Sequence, residues 1–341
     1  MPGLRGLEPA AIERLALHAE DSRSLRSELL TRLRAVIEFD WYAWVLTDPT
    51  TSVGVDPLAE LPDPAAIPAT IRLKYLTSLN RWTSLDGVAS LATRASESPL
   101  WQEEQARHGV VDVASLALRD RYGCWGFLDL WSTRAYAVRE LALLLDLAPS
   151  LTNAVRLVRA RSFHVAGGES VASTGPTVLV LSDDLTILDR ARGSEEWLRL
   201  LLPQPDGTRP VPACAYNVAA QLLAREAGVD DNPPMARMPL PDGAWVTLRA
   251  SRLEAHHEIA VTIEQSTPHD RLDVFCRAHG LSPRESELLT VIATGADTAT
   301  AAAQLHLSPH TIQDHLKAIF AKTDEHSRRE LLARAMGTPT I

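Results

Sequence analysis

Between Leu281 and Gly337 the chain sets a serine–proline pair at two successive helix starts, Ser282-Pro283 and Ser308-Pro309. A serine side chain at the N-cap accepts from a backbone amide that the helix cannot satisfy. A proline at the first helical position loses nothing by lacking an N–H. Glu285 closes a capping box with Ser282, and Leu288, Leu289 and Ile292 recur at helical spacing behind it. Gly295 stops that helix. Asp297 caps a second, alanine-rich helix reaching Leu305, and His306-Leu307 make a tight turn. Leu307 and Ile312 then occupy the two positions of a hydrophobic staple around the third start. The stretch reads as four short helices whose second and third form a helix-turn-helix, the unit that lays a helix in the DNA major groove.

On the third helix Ile312, Leu316, Ile319 and Phe320 share one face and belong to a core. His310, Thr311, Gln313, Asp314, His315, Lys317 and Lys322 are left pointing wholly or partly outward. Glutamine pairs with adenine, aspartate accepts from cytosine, and lysine donates to guanine or phosphate. The same face also fits an ordinary solvated side of a small bundle.

The segment resembles the LuxR-type (NarL/FixJ-type) helix-turn-helix. The matching residues are LSPRE at 281–285, Gly295, AAAQLHLSPHTI at 301–312, HLKAIFAK at 315–322 and SRRELLARA at 327–335. The resemblance implies a homodimer on double-stranded DNA, with the third helix in the major groove and the fourth often between subunits. It implies further that Gln313, Asp314 and Lys317 face bases or groove phosphates, and that Thr311, His315 and Lys322 position the backbone. One departure is Thr300-Ala301, where the family usually has an acidic and a β-branched residue. Thr300 cannot close a capping box as a carboxylate does, so the second helix is expected to be modestly stable.

Charge limits how such a segment binds. The 341 residues carry a formal net charge of −9, with 6 Lys/Arg against 7 Asp/Glu in 281–341 and 28 against 36 in 1–280. A nearly neutral reader gains little from phosphate neutralisation, so binding is expected to be salt-sensitive and dependent on dimerisation. The length allows two or three domains. Cys124, Cys214 and Cys276 are odd in number and widely spaced, which reads as buried free thiols without disulfide or zinc pattern. No 20-residue apolar span or secretory leader is read in the sequence, so a cytoplasmic protein with no membrane partner is expected.

Upstream, Pro9–Val36 reads as helix broken near Asp21-Ser22, and Phe39–Leu46 as a strand. Thr51–Pro68 reads as a loop, and Ala69–Asn80 and Leu100–His108 as helices. Val110–Leu118 and Cys124–Leu130 read as a hairpin, and Ala135–Phe163 as a long helix kinked at Pro149. This region, through FDWYAWVLTDP at 39–49, YLTSLNRW at 75–82 and LRDRYGCWGFLDLW at 118–131, is similar to the GAF-like part of actinobacterial LuxR-type regulators. That resemblance implies a sensor of small molecules. After a small, polar stretch at 167–176, strands at 178–181 and 186–188, helices at 194–202 and 213–227, and strands at 235–240, 245–250 and 258–264 follow. Through VLVLSDDLTILDRA and LPDGAWVTLRASRL they resemble a PAS-like domain. The expected architecture is a multidomain α/β sensor region with antiparallel sheets and helices, followed by an all-α four-helix LuxR-type domain. The spans are 1–165 GAF-like, 176–266 PAS-like, 267–280 linker with a short helix, and 281–337 reader.

Six of eight tryptophans lie between Trp41 and Trp131. They either pack between sheet and helices or wall a small-molecule pocket. For a pocket the first choices are Tyr42, Trp44, Trp82, Tyr122 and Trp125, with Asp40, Asn80 and Arg121 as polar contacts. No phosphate loop, HExxH, nucleophile elbow or CxxC is present, so neither catalysis nor a cofactor is expected. His256-His257 beside Glu254 and Glu258 would alternate across a strand, which argues against a metal site. The receiver-domain pattern for phosphorylation is also missing. A regulator that senses an effector is the leading reading. The alternative is an interaction or scaffold protein whose helical bundle does not bind DNA.

Overall fold

Alternating apolar strands separated by amphipathic helices fold here twice along the same chain path. The structure, a computed structural model, describes residues 6–163, 175–201, 213–254 and 258–337. The first unit runs α1 (Pro9–His18), α2 (Ser22–Arg34), β1 (Trp41–Thr47), β2 (Gly54–Glu60), α3 (Ile67–Leu76), β3 (Val88–Ser90), β4 (Asp112–Asp120), β5 (Gly123–Ser132) and α4 (Val138–Arg161). Its sheet has the order β2-β1-β5-β4-β3, antiparallel throughout. The second unit runs β6 (Thr177–Leu181), β7 (Ile187–Arg190), α5 (Ser194–Leu201), α6 (Ala213–Glu226), β8 (Met235–Pro239), β9 (Trp245–Arg252) and β10 (Ile259–Gln265). Its order, β7-β6-β10-β9-β8, repeats the first position for position. The expected fold class stands. Most of the polar stretch 167–176, and His256-His257, lie outside the described residues.

Three expectations change. The stretch 51–68, read as loop, contains β2, which pairs with β1 from Tyr42↔Glu60 to Thr47↔Gly54. Pro57 sits within it because β2 is an edge strand, where a missing N–H is tolerated. The strand is fixed by distant residues: fully buried Arg26 of α2 donates to the Asp56 carboxylate and carbonyl, both at 2.8 Å, and to the Trp44 carbonyl at 2.9 Å. The helix expected at 100–108 is a π-turn at Trp101–Gln105 followed by a 3-10 turn at Ala106–His108. Finally, α4 is long and apolar enough to cross a membrane by length and composition, where no such span was expected. Its inner face lies in the core, with Leu144, Leu151 and Ala154 wholly buried.

The first sheet divides the protein. Trp44, Leu46, Trp125, Leu128 and Leu130 face a core shared with α1, α2 and α4. Val45, Ala117 and Phe127 face the other way, into a core with Tyr75, Trp82 and the α6 residues Cys214 and Val218. That second core continues into the other sheet, so α6 covers both sheets.

The stretch 267–280, expected as a linker, is mostly helix α7 (Pro268–Ala278), capped by Thr267 and Asp270. It is held by both upstream units. Arg237 of β8 grips Asp48 at 2.7 and 2.9 Å, Asp273 of α7 at 3.1 Å and the Asp270 carbonyl at 2.9 Å. Arg277 donates to the Tyr122 carbonyl at 2.8 Å, and Arg156 of α4 to the Ala278 carbonyl at 3.1 Å. Gly280, at φ +65°, follows; a Cβ there would stand 3.2 Å from the Tyr122 ring, so both conformation and space favour glycine.

Candidate nucleic-acid interface

The C-terminal segment comprises α8 (Pro283–Ala293), α9 (Thr298–Leu305), α10 (Pro309–Thr323) and α11 (Arg328–Met336). Each start is capped as its sequence dictates. Ser282 accepts from the Glu285 amide at 3.3 Å while the Glu285 carboxylate accepts from the Ser282 amide at 2.6 Å. Asp297 accepts from Thr300 at 2.7 Å and Ser308 from Thr311 at 3.1 Å. His306, at φ +53°, terminates α9 in the left-handed region and turns the chain into α10. Ile312, Leu316 and Ile319 are buried, and Phe320 is half-buried beside them.

That packing leaves Gln313, Asp314 and Lys317 exposed together on α10. Gln313 touches the Thr298 hydroxyl of α9 at 3.4 Å. Asp314 lies between His310 Nδ1 at 2.9 Å and Lys317 Nζ at 3.5 Å. Thr311 and His315 are half-buried, and the Thr311 hydroxyl is engaged with Ser308. Residues 279–335 match the family model described as bacterial regulatory proteins, luxR family. The C-terminal segment is a LuxR-family helix-turn-helix domain.

No curated protein sequence matches the chain. Among solved structures it is similar to Escherichia coli SdiA, at 15% identity over 96% of each chain and TM-score 0.32. A second SdiA structure, in complex with octanoyl-rac-glycerol, gives 14% identity over 97% of this chain and 93% of that one, at 0.33. The bacteriophytochrome RpBphP3 of R. palustris gives 13% over 76% and 61%, at 0.30. Such low scores leave the fold to be read from the strand orders and helices above.

Most cations of the LuxR-family domain are already engaged. Lys322 pairs with Glu285 at 2.6 Å, joining the end of α10 to the start of α8. Burial alone would raise the Glu285 carboxyl, but Lys322 and the Ser282 donors hold it below its ordinary value. Arg284 pairs with Glu287 and Arg334 with Glu325, each at 2.7 Å, and Arg328 donates to the Ala296 carbonyl. Lys317, loosely paired at 3.5 Å, and Arg329 are the exposed cations of the domain without a close carboxylate partner among the described residues. Arg329 lies on α11, outside the helix on which sequence reasoning concentrated.

The domain meets the upstream region at His279, half-buried against Phe275 and Phe163. Burial, with the Arg334 and Arg156 charges nearby, lowers its pKa from 6.5 to about 4. The unfolded chain therefore binds the proton first as pH falls. Stability is full above about pH 6.5 and is lost progressively toward about pH 4, by an expected 2 kcal/mol or so. Denaturant titrations at pH 7.5 and 5 should show this loss, and His279→Phe should shrink it. An unchanged difference would rule out His279 as its source.

In the upstream region the five aromatic residues chosen from sequence do not line one cavity. Trp44 and Trp125 are buried on the α4 side of the first sheet, and Trp82 on the α6 side, stacked 5.5 Å from Phe127. Tyr42 packs edge-on against Phe39, and Tyr122 sits at the junction between Arg121 and Arg156. Of the proposed polar contacts, Asp40 accepts from Thr133, whereas Asn80 lines a small cavity. Lys74, Thr77, Gln105 and Ser115 share that cavity, which has room for roughly one water molecule, about 10 Å³. Lys74 pairs there with buried Asp129 at 3.0 Å and donates to Ser115 at 3.2 Å. One carboxylate oxygen of Asp129 and the side-chain oxygen of Gln105 are buried without a partner. Sequence reasoning missed this group, although a lone aspartate inside the apolar strand run FLDLW was its available signal.

Proposed function

We propose that the protein is a one-component, sequence-specific transcriptional regulator that acts as a homodimer. Its two upstream units receive a small molecule or protein signal and pass it through α7 to the reader. The observation that carries this reading is the LuxR-family domain with Gln313, Asp314 and Lys317 left open on α10 while α7 packs against α8 and α11. A signal received upstream would have to stabilise one of two arrangements of α7 over the other. The chain acts by binding and not by catalysis, and it works in the cytoplasm, where its DNA is.

Footprinting with the purified protein on the DNA upstream of its own coding sequence tests this. A protected segment with two half-sites about one helical turn, roughly 34 Å, apart is expected. The second reading, a scaffold whose bundle does not bind DNA, is favoured by the cations already committed to intramolecular pairs. Absence of any protected sequence across a genomic fragment library would support it.

A further inference from the structure

The first half of α4 is apolar on two sides. Leu144, Leu147 and Leu151 turn inward. Val138, Ala142, Leu145 and Pro149 turn outward, with Val138 85% and Leu145 52% exposed. Their spacing of four, three and four is that of a coiled-coil seam, with Val138 and Leu145 at d and Ala142 and Pro149 at a. This second apolar side is what lets α4 satisfy the composition of a membrane span. Beside the seam stand Arg139 and Asp146, both exposed and both at e. Neither has a hydrogen bond or ion pair among the described residues. The corresponding g positions are uncharged Leu141 and Ala148.

We infer that this face pairs, antiparallel and about a two-fold axis, with the same face of a second copy of the chain. The inference rests on the dimeric reading above and says where the dimer forms. In an antiparallel seam each a residue meets a d residue, so Ala142 packs on the partner's Leu145 and Val138 on the partner's Pro149. That register places Arg139 opposite the partner's Asp146, and symmetry makes the pair twice. Parallel pairing would set each e charge against an uncharged g residue. Small Ala142 allows the helices to approach closely. A seam of about 11 residues is only about 16 Å long. It buries less than the roughly 800 Å² per partner of a standard stable interface, so the dimer is reversible, with an expected Kd in the micromolar range.

Sedimentation velocity on the full chain across a concentration series tests the register. Arg139→Asp and Asp146→Arg should each weaken dimerisation roughly tenfold, because each sets like charges opposite one another twice. The double variant R139D/D146R should restore it. Leu145→Glu should leave a monomer with unchanged circular dichroism. Dimerisation indifferent to the single variants, or not rescued in the double, overturns the inference. So does a monomer that binds phosphatidylcholine vesicles through Leu145, since lipid would then cover the face. DNA binding is measured on the same samples. Charge-swap behaviour without sequence-specific DNA binding fails the regulator reading alone, and DNA binding with indifferent swaps fails the seam alone.

Discussion

Arg237→Ala is expected to cost about 3–5 kcal/mol of folding stability, the range for removing one partner of a buried ion pair. Arg237 and Asp48 are 4% and 0% exposed at their side chains. Asp48 is committed from every side: it accepts from Arg237 through the guanidinium and the backbone amide, and from the Thr50 amide at 2.9 Å. Without the guanidinium a carboxylate remains in the interior with amide donors alone. Arg237→Lys should recover only part of the loss, because an ammonium cannot span Asp48, Thr50 and Asp273 as the planar fork does. The joint replacement of Arg237 by Met and Asp48 by Leu should cost less than Arg237→Ala, since no unpaired charge is then left. Urea midpoints measure all three. Hydrogen exchange should quicken first in α7, whose Asp270 carbonyl and Asp273 carboxylate lose their donor. A loss under about 1 kcal/mol would mean that water replaces the guanidinium and that α7 is held elsewhere.

That junction was hidden in the sequence, and the reason is physical. Asp48 lies just past the strand read at 39–46, and Arg237 in the strand read at 235–240; nothing local links them. The strand β2 was hidden likewise. Asp56 and Pro57 look like loop residues until Arg26 from α2 fills the Asp56 carboxylate and α6 from the second unit covers the edge. By contrast, the reader's helix starts were legible because capping is satisfied within three residues, and Ser282, Asp297 and Ser308 each accept where their position requires. The aromatic residues fall between these cases. Alternation separates Trp44 from Val45, but only the placement of α6 decides that Val45 and Trp82 share a core while Trp44 shares another. Pocket reasoning from tryptophans thus stopped at the sheet's parity, and the cavity beside Lys74 and Gln105 is mostly lined by other residue types.

The double variant Gln313→Ala/Lys317→Ala should weaken binding to the cognate site at least 100-fold. A bidentate base contact is worth about 1–3 kcal/mol of discrimination, and a dimer makes each contact twice. Both side chains are exposed, so the melting temperature should not change. The two parts separate by salt. Lys317→Ala should lower the slope of log K against log salt by about one per site, whereas Gln313→Ala should leave the slope alone and relax one base position. Removing Lys317 also leaves Asp314 with only His310 beside it, which adds repulsion from phosphate. Asp314→Ala should then act in the opposite sense, raising affinity for unrelated DNA while reducing discrimination. Fluorescence anisotropy on cognate and scrambled duplexes over a salt series reads all of these. If the double variant binds the cognate duplex as tightly as the parent, α10 does not read bases through this face, and the near-neutral domain must bind DNA elsewhere or not at all.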